Sequence, residues 1–339
     1  MEVGEKMSKT IKLHHGDGGV HTNNLIQNIF YKYFNNPALL KGGDSAVFDI
    51  NGSKLGYTTD SYVVKPLFFP GGNIGSLAVC GTINDLTVTG AMPLYLSAGF
   101  IIEEGFEISK LEVITRTMQE ICKQTGVKII TGDTKIVERG SVDNLFINTS
   151  GVGEIIDGYE PKSIQAGDEI IITGGIGEHG GVIALKRYEL GIGEGLKSDC
   201  RPLIDILIKI RDYLPFVKVM KDPTRGGIAT ILNEIAKEHK IGILLSEENI
   251  PICKEVKGVT ELLGLDPYYL ACEGRMILIV RQGYGEKILK IIKGIDNCKN
   301  ASLIGRVIEE QCEYVCLNTW IGGKRRLYML ETSMLPRIC

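Results

Sequence analysis

Five aspartates sit in glycine- and threonine-rich settings, each where a strand ends or on a helix of small residues. They are Asp44 in GGDSA, Asp60 in TTDS, Asp85 in TINDL, Asp133 in TGDTK and Asp222 in KDPTRGG. Carboxylates that converge with a few backbone oxygens suit Mg²⁺, a hard ion that keeps waters and binds substrate phosphates. Ahead of them runs His14-His15-Gly16-Asp17-Gly18-Gly19, just before a helical pattern. Gly16, Gly18 and Gly19 would let backbone N–H groups approach an anion closely there. A single Asp beside Gly is ordinarily a turn or cap residue, and HGDGG is neither a P-loop nor a dinucleotide fingerprint. The joint pattern is what points to phosphate chemistry.

The last residue is a cysteine, Cys339, one of nine (80, 122, 200, 253, 272, 298, 312, 316 and 339). The others are scattered, and the close pair Cys312 and Cys316 has no second ligand pair nearby, which excludes an ordinary zinc site. Prenylation would need its cysteine four residues from the end. The adjacent α-carboxylate raises the Cys339 thiol pKa, so the thiol suits loading by another enzyme better than indiscriminate attack. Pro336 stiffens the approach to it, and Arg337 can pair with phosphate or an acidic group. Gly322-Gly323 reads as a hinge for this tail.

A chain of 339 residues fits two α/β-type domains better than one core. Hydrophobic content is 44%, charged content 23% and net charge −3. With no basic run longer than Lys324-Arg325-Arg326, neither nucleic acid nor a membrane surface is an expected partner. No apolar stretch approaches the ~20 residues of a membrane span, and Glu2 and Glu5 break any signal-peptide core, so a cytoplasmic location is expected.

The elements that must position these residues follow from periodicity. A helix capped at Thr22 carries Leu25, Ile26, Ile29, Phe30 and Tyr33 on one face. Asn51-Gly52 predicts a hairpin between Ala46–Ile50 and Lys54–Asp60. Asn73–Gly90 reads as a small-residue helix, Leu94–Ile102 as a strand and Ser109–Thr125 as a helix, with strands at Lys128–Asp133 and Asn144–Gly153. The second half mixes strands and helices, including helices at Glu178–Leu190 and Pro202–Tyr213, without strict βαβ alternation. This predicts an α+β fold with mixed sheets flanked by helices. The expected domains are 1–158 for nucleotide binding and dimerisation, 159–321, and a flexible tail over 322–339.

Taken together the motifs resemble the family of aminoimidazole ribonucleotide synthetase, selenophosphate synthetase and thiamine-monophosphate kinase. Within it, the chain is similar to the carbamoyl dehydratases of NiFe hydrogenase maturation. The likeness runs from HGDGG through TTDSYVVKPLFFPGGNIG, TINDL, TGDTK, KDPTRGG and EG to the terminal PRIC, essentially the whole chain. Gly43 and Cys272 stand where relatives carry Asp and Asn.

The resemblance implies an aminoimidazole ribonucleotide synthetase-like fold, with ATP and Mg²⁺ as cofactors. It implies dehydration of a carbamoyl group on the Cys339 thiol to a thiocyanate, the source of cyanide ligands for the hydrogenase iron. Asp44, Asp85 and Asp222 would hold metal. Gly16, Gly18, Gly19, Asp60, Asn84, Asp133, Thr134, Asp222 and Arg225 would line the nucleotide site. Cys339, Lys135 and Glu273 would do the chemistry. It also implies a homodimer, a HypF-like carbamoyltransferase partner, and HypC-HypD-like iron-carrying partners.

Two other readings remain: a selenophosphate synthetase-like kinase or synthetase, and a nucleotide-binding scaffold that presents its tail. The first would place a reactive Cys or Sec in the N-terminal loop, and HGDGG has neither. The retained Lys135, Glu273 and aspartates weigh against the second.

Overall fold

The computed structural model describes residues 10–16, 18–34, 36–41, 43–157, 159–190, 195–310, 313–331, 335 and 337–338. Cys339, Pro336 and Asp17 lie outside the described residues. The N-terminal half begins with α1 (Val20–Leu25), a π-helical turn at Ile26–Phe30, and α2 (Tyr31–Tyr33). It continues through β1 (Ala46–Ile50), β2 (Ser53–Tyr62), the small pair β3 (Phe68–Phe69) and β4 (Gly72–Asn73), and α3 (Ile74–Val88). Then come β5 (Ala91–Glu103), α4 (Ile108–Thr125), β6 (Lys128–Val137) and β7 (Leu145–Ile155). The C-terminal half holds β8 (Glu169–Ile172), α5 (Glu178–Arg187), α6 (Ile204–Lys209), β9 (Val217–Lys221), α7 (Gly227–His239) and β10 (Gly242–Ser246). It closes with α8 (Lys254–Leu263), β11 (Ile277–Val280), α9 (Gly285–Lys293), β12 (Ser302–Ile308), β13 (Val315–Asn318) and β14 (Lys324–Leu327).

Two mixed sheets organise the chain, as the α+β expectation requires. The first runs β1-β2-β7-β5-β6, with β5 and β6 parallel and the other pairs antiparallel. The second runs β14-β13-β10-β12-β8-β11-β9. The predicted hairpin is present: Ile50 faces Ser53 across Asn51 (φ 54°) and Gly52 (φ 90°). Both turn residues take positive φ, as a tight two-residue turn demands.

Helix α3 is the element on which the site hangs. Asn73 caps it by accepting from Gly75 N (2.8 Å) and Ser76 N (3.2 Å), while the Ser76 hydroxyl takes the Asn73 N–H (2.9 Å). Apart from Asp85, every residue from Ile74 to Val88 is buried. A helix apolar on all sides belongs between two layers, and α3 packs on β2 and β7 on one side and on α6 and β9 on the other. Each large side chain so buried, such as Leu77 or Ile83, contributes about 1.5–3 kcal/mol. No helix among the described residues is long and apolar enough to cross a membrane.

Two local expectations change. Thr22 is not the cap of the first helix; Gly19 is, and the Thr22 hydroxyl instead takes the Gly18 N–H at 3.0 Å. Gly322-Gly323 is no hinge. It closes the β13–β14 hairpin, where Thr319 N donates to Gly323 O (2.8 Å), Gly322 N donates to Thr319 O (2.9 Å) and Gly322 takes a φ of 85°. Glycines signal chain reversal as readily as mobility, and here the antiparallel ladder from Val315–Leu327 to Asn318–Lys324 needs a turn.

Candidate active site

Four of the five aspartates converge. Asp60 shares its sheet face with Thr149 and Ala98, its partners across β7 and β5. That face lies under α3, since the Thr149 hydroxyl donates to Ala78 O at 2.8 Å. From α3, Asp85 accepts a hydrogen bond from the Thr58 hydroxyl at 2.8 Å, and the same hydroxyl lies 2.9 Å from Asp44 O. From the C-terminal half, Asp222 follows β9, and Lys221 reaches Asp44 at 3.0 Å.

The electrostatics are those of a crowded acid cluster. Burial first, then the carboxylates of Asp222, Asp60 and Asp44, push Asp85 well above the ordinary aspartate range. Burial and then Asp44 push Asp222 up to about 7. Burial raises Asp60 as well, opposed by the Arg225 guanidinium. Carboxylates that hold protons near neutrality are awaiting a cation or the positive face of a ligand. Among the described residues no three His, Cys, Asp or Glu side chains converge into a ready cage. A cavity of about 460 Å³ opens beside Asp44 and Lys221, walled by Val47, Phe48, Tyr159 and Met220. Apolar walls with a charged rim suit a nucleoside.

Glu273 is a second focus. It is 3% exposed, and its Oε1 has no partner among the described residues. Burial first, then Cys200, Asp199, Asp222 and Asp60, hold its pKa well above the usual glutamate range. Its backbone is fixed by Asp199, whose carboxylate accepts from the N–H groups of Glu273 (3.3 Å), Gly274 (3.1 Å) and His179 (3.2 Å). Gly274 is obligatory, because a Cβ there would lie 1.8 Å from Asp199 O. Cys80 and Cys200 lie together beside this group. The hydrogen bond to Cys80, followed by burial, pushes the Cys200 thiol well above its ordinary range, so it is no rival nucleophile to the terminal cysteine.

Several expected site residues have other partners. Asn84 is 1% exposed; its amide donates to Arg201 O (3.0 Å) and Glu273 O (3.3 Å) and accepts from Leu203 N (2.9 Å). Its polar atoms tie α3 to the Glu273 loop. The glycine loop has contacts of its own. The Gly18 N–H goes to Thr22, Val20 N donates to Leu330 O at 3.3 Å, and Arg225 donates to Gly16 O at 2.6 Å. A Cβ on Gly19 would lie 2.1 Å from Leu330 O, so this glycine serves close packing.

Lys135 and Asp133 pair with each other at 2.9 Å on β6, an exposed edge strand. In register, Asp133 follows Gly99, Asn148 and Ser61, whereas Asp60 follows Thr149, Ala98 and Gly132. Side chains alternate along a strand, so Lys135 and Asp133 stand on the sheet face opposite Asp60 and α3. Thr134, between them, turns the other way. The fold does not bring Lys135 to Glu273 within one chain.

Family models described as AIR synthase related protein match residues 42–155 for the N-terminal domain and 165–316 for the C-terminal domain. The chain is 45% identical over 332 residues to the carbamoyl dehydratase HypE of Rhizobium leguminosarum bv. viciae, covering 97% of this chain and 95% of that one. The chain belongs to the HypE family. It matches a chain of the crystal structure of a HypE–HypF complex at 43% identity and a TM-score of 0.85, covering 90% of this chain and 99% of the other. It matches HypE in complex with ATP at 40% identity and a TM-score of 0.81, covering 97% and 100%. The two-domain fold expected from the motifs is therefore the family's.

Proposed function

We propose that this chain is an ATP-dependent carbamoyl dehydratase that converts a carbamoyl group on its own Cys339 thiol into a cyano group. One observation carries the reading. The residues leading to Cys339 are held at the seam between the two halves. Arg337 bonds Val63 O and Asp143 from the first half, while Ile338 O bonds His179 in the second. The buried carboxyl of Glu273, whose Oε1 has no partner among the described residues, and an acid cluster suited to nucleotide phosphates border the same seam.

A carboxamide does not lose water directly, because hydroxide leaves poorly. Attack of the amide oxygen on the γ-phosphorus forms a C–O–P linkage and releases ADP. Removal of the two nitrogen protons and cleavage of the C–O bond then leave C≡N and inorganic phosphate. Glu273, whose Oε1 has no partner among the described residues, is the group placed to accept a nitrogen proton. Asp44, Asp85 and Asp222 would hold Mg²⁺, which neutralises phosphate charge and aligns transfer when bound. The raised pKa values of Asp85 and Asp222, both pushed up by burial and by neighbouring carboxylates, fit such an ion. Arg225, beside Asp60, supplies fixed positive charge on the phosphate side.

The same reading assigns the outer face of the first sheet to a second copy of the chain. It carries exposed Tyr57, Tyr95 and Ile101 and ends on the open edge of β6. An open edge invites pairing, and a two-fold pair would bring Lys135 of one copy toward the cleft of the other. A HypF-like carbamoyltransferase loads Cys339, and HypC-HypD-like iron carriers receive the cyanide.

Phosphate release provides the test. Carbamoylated protein with Mg-ATP should release about one phosphate per chain and stop, because each tail carries one substrate. Cys339→Ser should release none above background. Continuous release without carbamoylation would mark a kinase or ATPase of the same fold instead.

A further inference from the structure

The grip on the end of the chain changes character at its penultimate residue. Arg337, about a third exposed, bonds outward: Nε donates to Val63 O at 3.0 Å and Nη1 to Asp143 at 2.9 Å. Its carbonyl accepts from Lys65 N at 3.3 Å and from the Arg187 guanidinium. Ile338 is 8% exposed, and its carbonyl lies 2.6 Å from His179 Nε2. A carbonyl only accepts, so the ring proton sits on Nε2. Nδ1, 2.8 Å from Ser198 Oγ, then accepts from the Ser198 hydroxyl. That oxygen in turn accepts Cys200 N–H at 3.1 Å. The hydrogen-bond network thus assigns one tautomer.

His179 itself is fixed on every side. It is fully buried and its ring stands edge-on to Phe69 at a centroid distance of 5.3 Å. Its N–H goes to Asp199, the carboxylate that also accepts from Glu273 N and Gly274 N. One side chain therefore sets the backbone of both the tail's receptor and the candidate base. If the tail leaves, the buried Nε2–H loses its acceptor, and an unsatisfied buried donor is costly. The vacated receptor favours the tail's return.

We infer that His179 is the positioning residue for the tail: its Nε2–H grips the Ile338 carbonyl and so holds the tail at the seam that Glu273 borders. This rests on Cys339 being the substrate carrier. A histidine present only to fill the core would gain nothing from directing its one ring donor to the penultimate carbonyl of a chain end that must leave to be loaded.

The test compares wild type with His179→Ala and with His179→Gln, whose amide nitrogen can donate from nearly the same place. Full-length, uncarbamoylated protein is treated with iodoacetamide. Alkylation of Cys339 is followed on the C-terminal peptide released by cleavage after Glu331. His179→Ala should react about five- to tenfold faster than wild type, as expected for one lost buried hydrogen bond. His179→Gln should stay near wild type, and affinity for a non-hydrolysable ATP analogue should be the same in all three. In carbamoylated protein at saturating ATP, single-turnover dehydration should slow in His179→Ala with an unchanged KM for ATP. Equal alkylation and equal dehydration in wild type and His179→Ala would overturn the inference. Should His179→Ala fail to fold, His179→Asn takes its place, because its donor stops near the Nδ1 position. Faster alkylation in Asn than in Gln supports the grip, and equal rates overturn it. Failure of wild type to form a nitrile would instead count against the reaction, while alkylation still judges the grip.

Discussion

Lys135→Ala and Glu273→Gln chains, co-expressed and purified together, should recover about a quarter of wild-type dehydration, although each variant alone loses about 10²–10⁴-fold. Lys135 stands with Asp133 on the outer face of β6, while Glu273 is buried on the far side of the first sheet, beyond α3. Only a second copy that covers the outer face can unite the two. Random pairing makes about half the dimers mixed, and each mixed dimer has one site with both residues intact. Hence about a quarter of the sites work. No recovery from mixed dimers confirmed by mass would mean that Lys135 serves its own chain or stays outside the chemistry.

Asp222→Asn should make the nucleotide-free protein more stable at pH 8 and abolish its binding of Mg-ATP. Asp222 titrates near 7 in the folded chain against 3.8 as its ordinary value. Between those values the folded state holds a proton that the unfolded state lacks. Stability therefore falls as pH rises through the window, and the deficit is complete above the folded pKa. At 1.36 kcal/mol per unit the penalty is of order 4 kcal/mol, shared with Asp85 and Asp60. The amide removes it, so the melting temperature at pH 8 should rise by about 5–10 °C. Wild type should lose stability from pH 5 to pH 8 and regain it with Mg-ATP. A lower melting temperature for Asp222→Asn at pH 8, or intact nucleotide affinity, would show that the carboxylates do not frustrate one another.

The sequence carried these features unevenly, and the reasons are physical. Asn51-Gly52 declared its hairpin because positive φ at two successive residues restricts the choice of side chains. The small residues of α3 declared a helix, and the motif aspartates on β2, on α3 and just after β9 come together as the joint pattern suggested. Side-chain surroundings were harder to read from motif membership. Asn84 lies beside Asp85, yet a helix turns neighbours by about 100°, which sends Asn84 to the Arg201–Leu203 loop. Lys135 is in a motif, but strand alternation and edge position put it on the outer face. Asp199 and His179 lie in loop and helix-start contexts without periodicity; only their burial and bonds in three dimensions mark them. The glycine loop was ambiguous because close backbone packing and anion binding ask for the same residue.

The central claim, that Cys339 carries the group being dehydrated, is tested most directly by intact mass over time. The protein is incubated with the family's carbamoyltransferase and carbamoyl phosphate, and Mg-ATP is added afterwards. The chain should first gain one carbamoyl group, mapped to Cys339, and then lose one water with the release of one phosphate. Glu273→Gln should stop at the carbamoyl stage, and Cys339→Ser should never gain the group. A carbamoyl adduct on Cys339 that persists unchanged in wild type with Mg-ATP, or a loss of water mapped to another residue, would contradict the account.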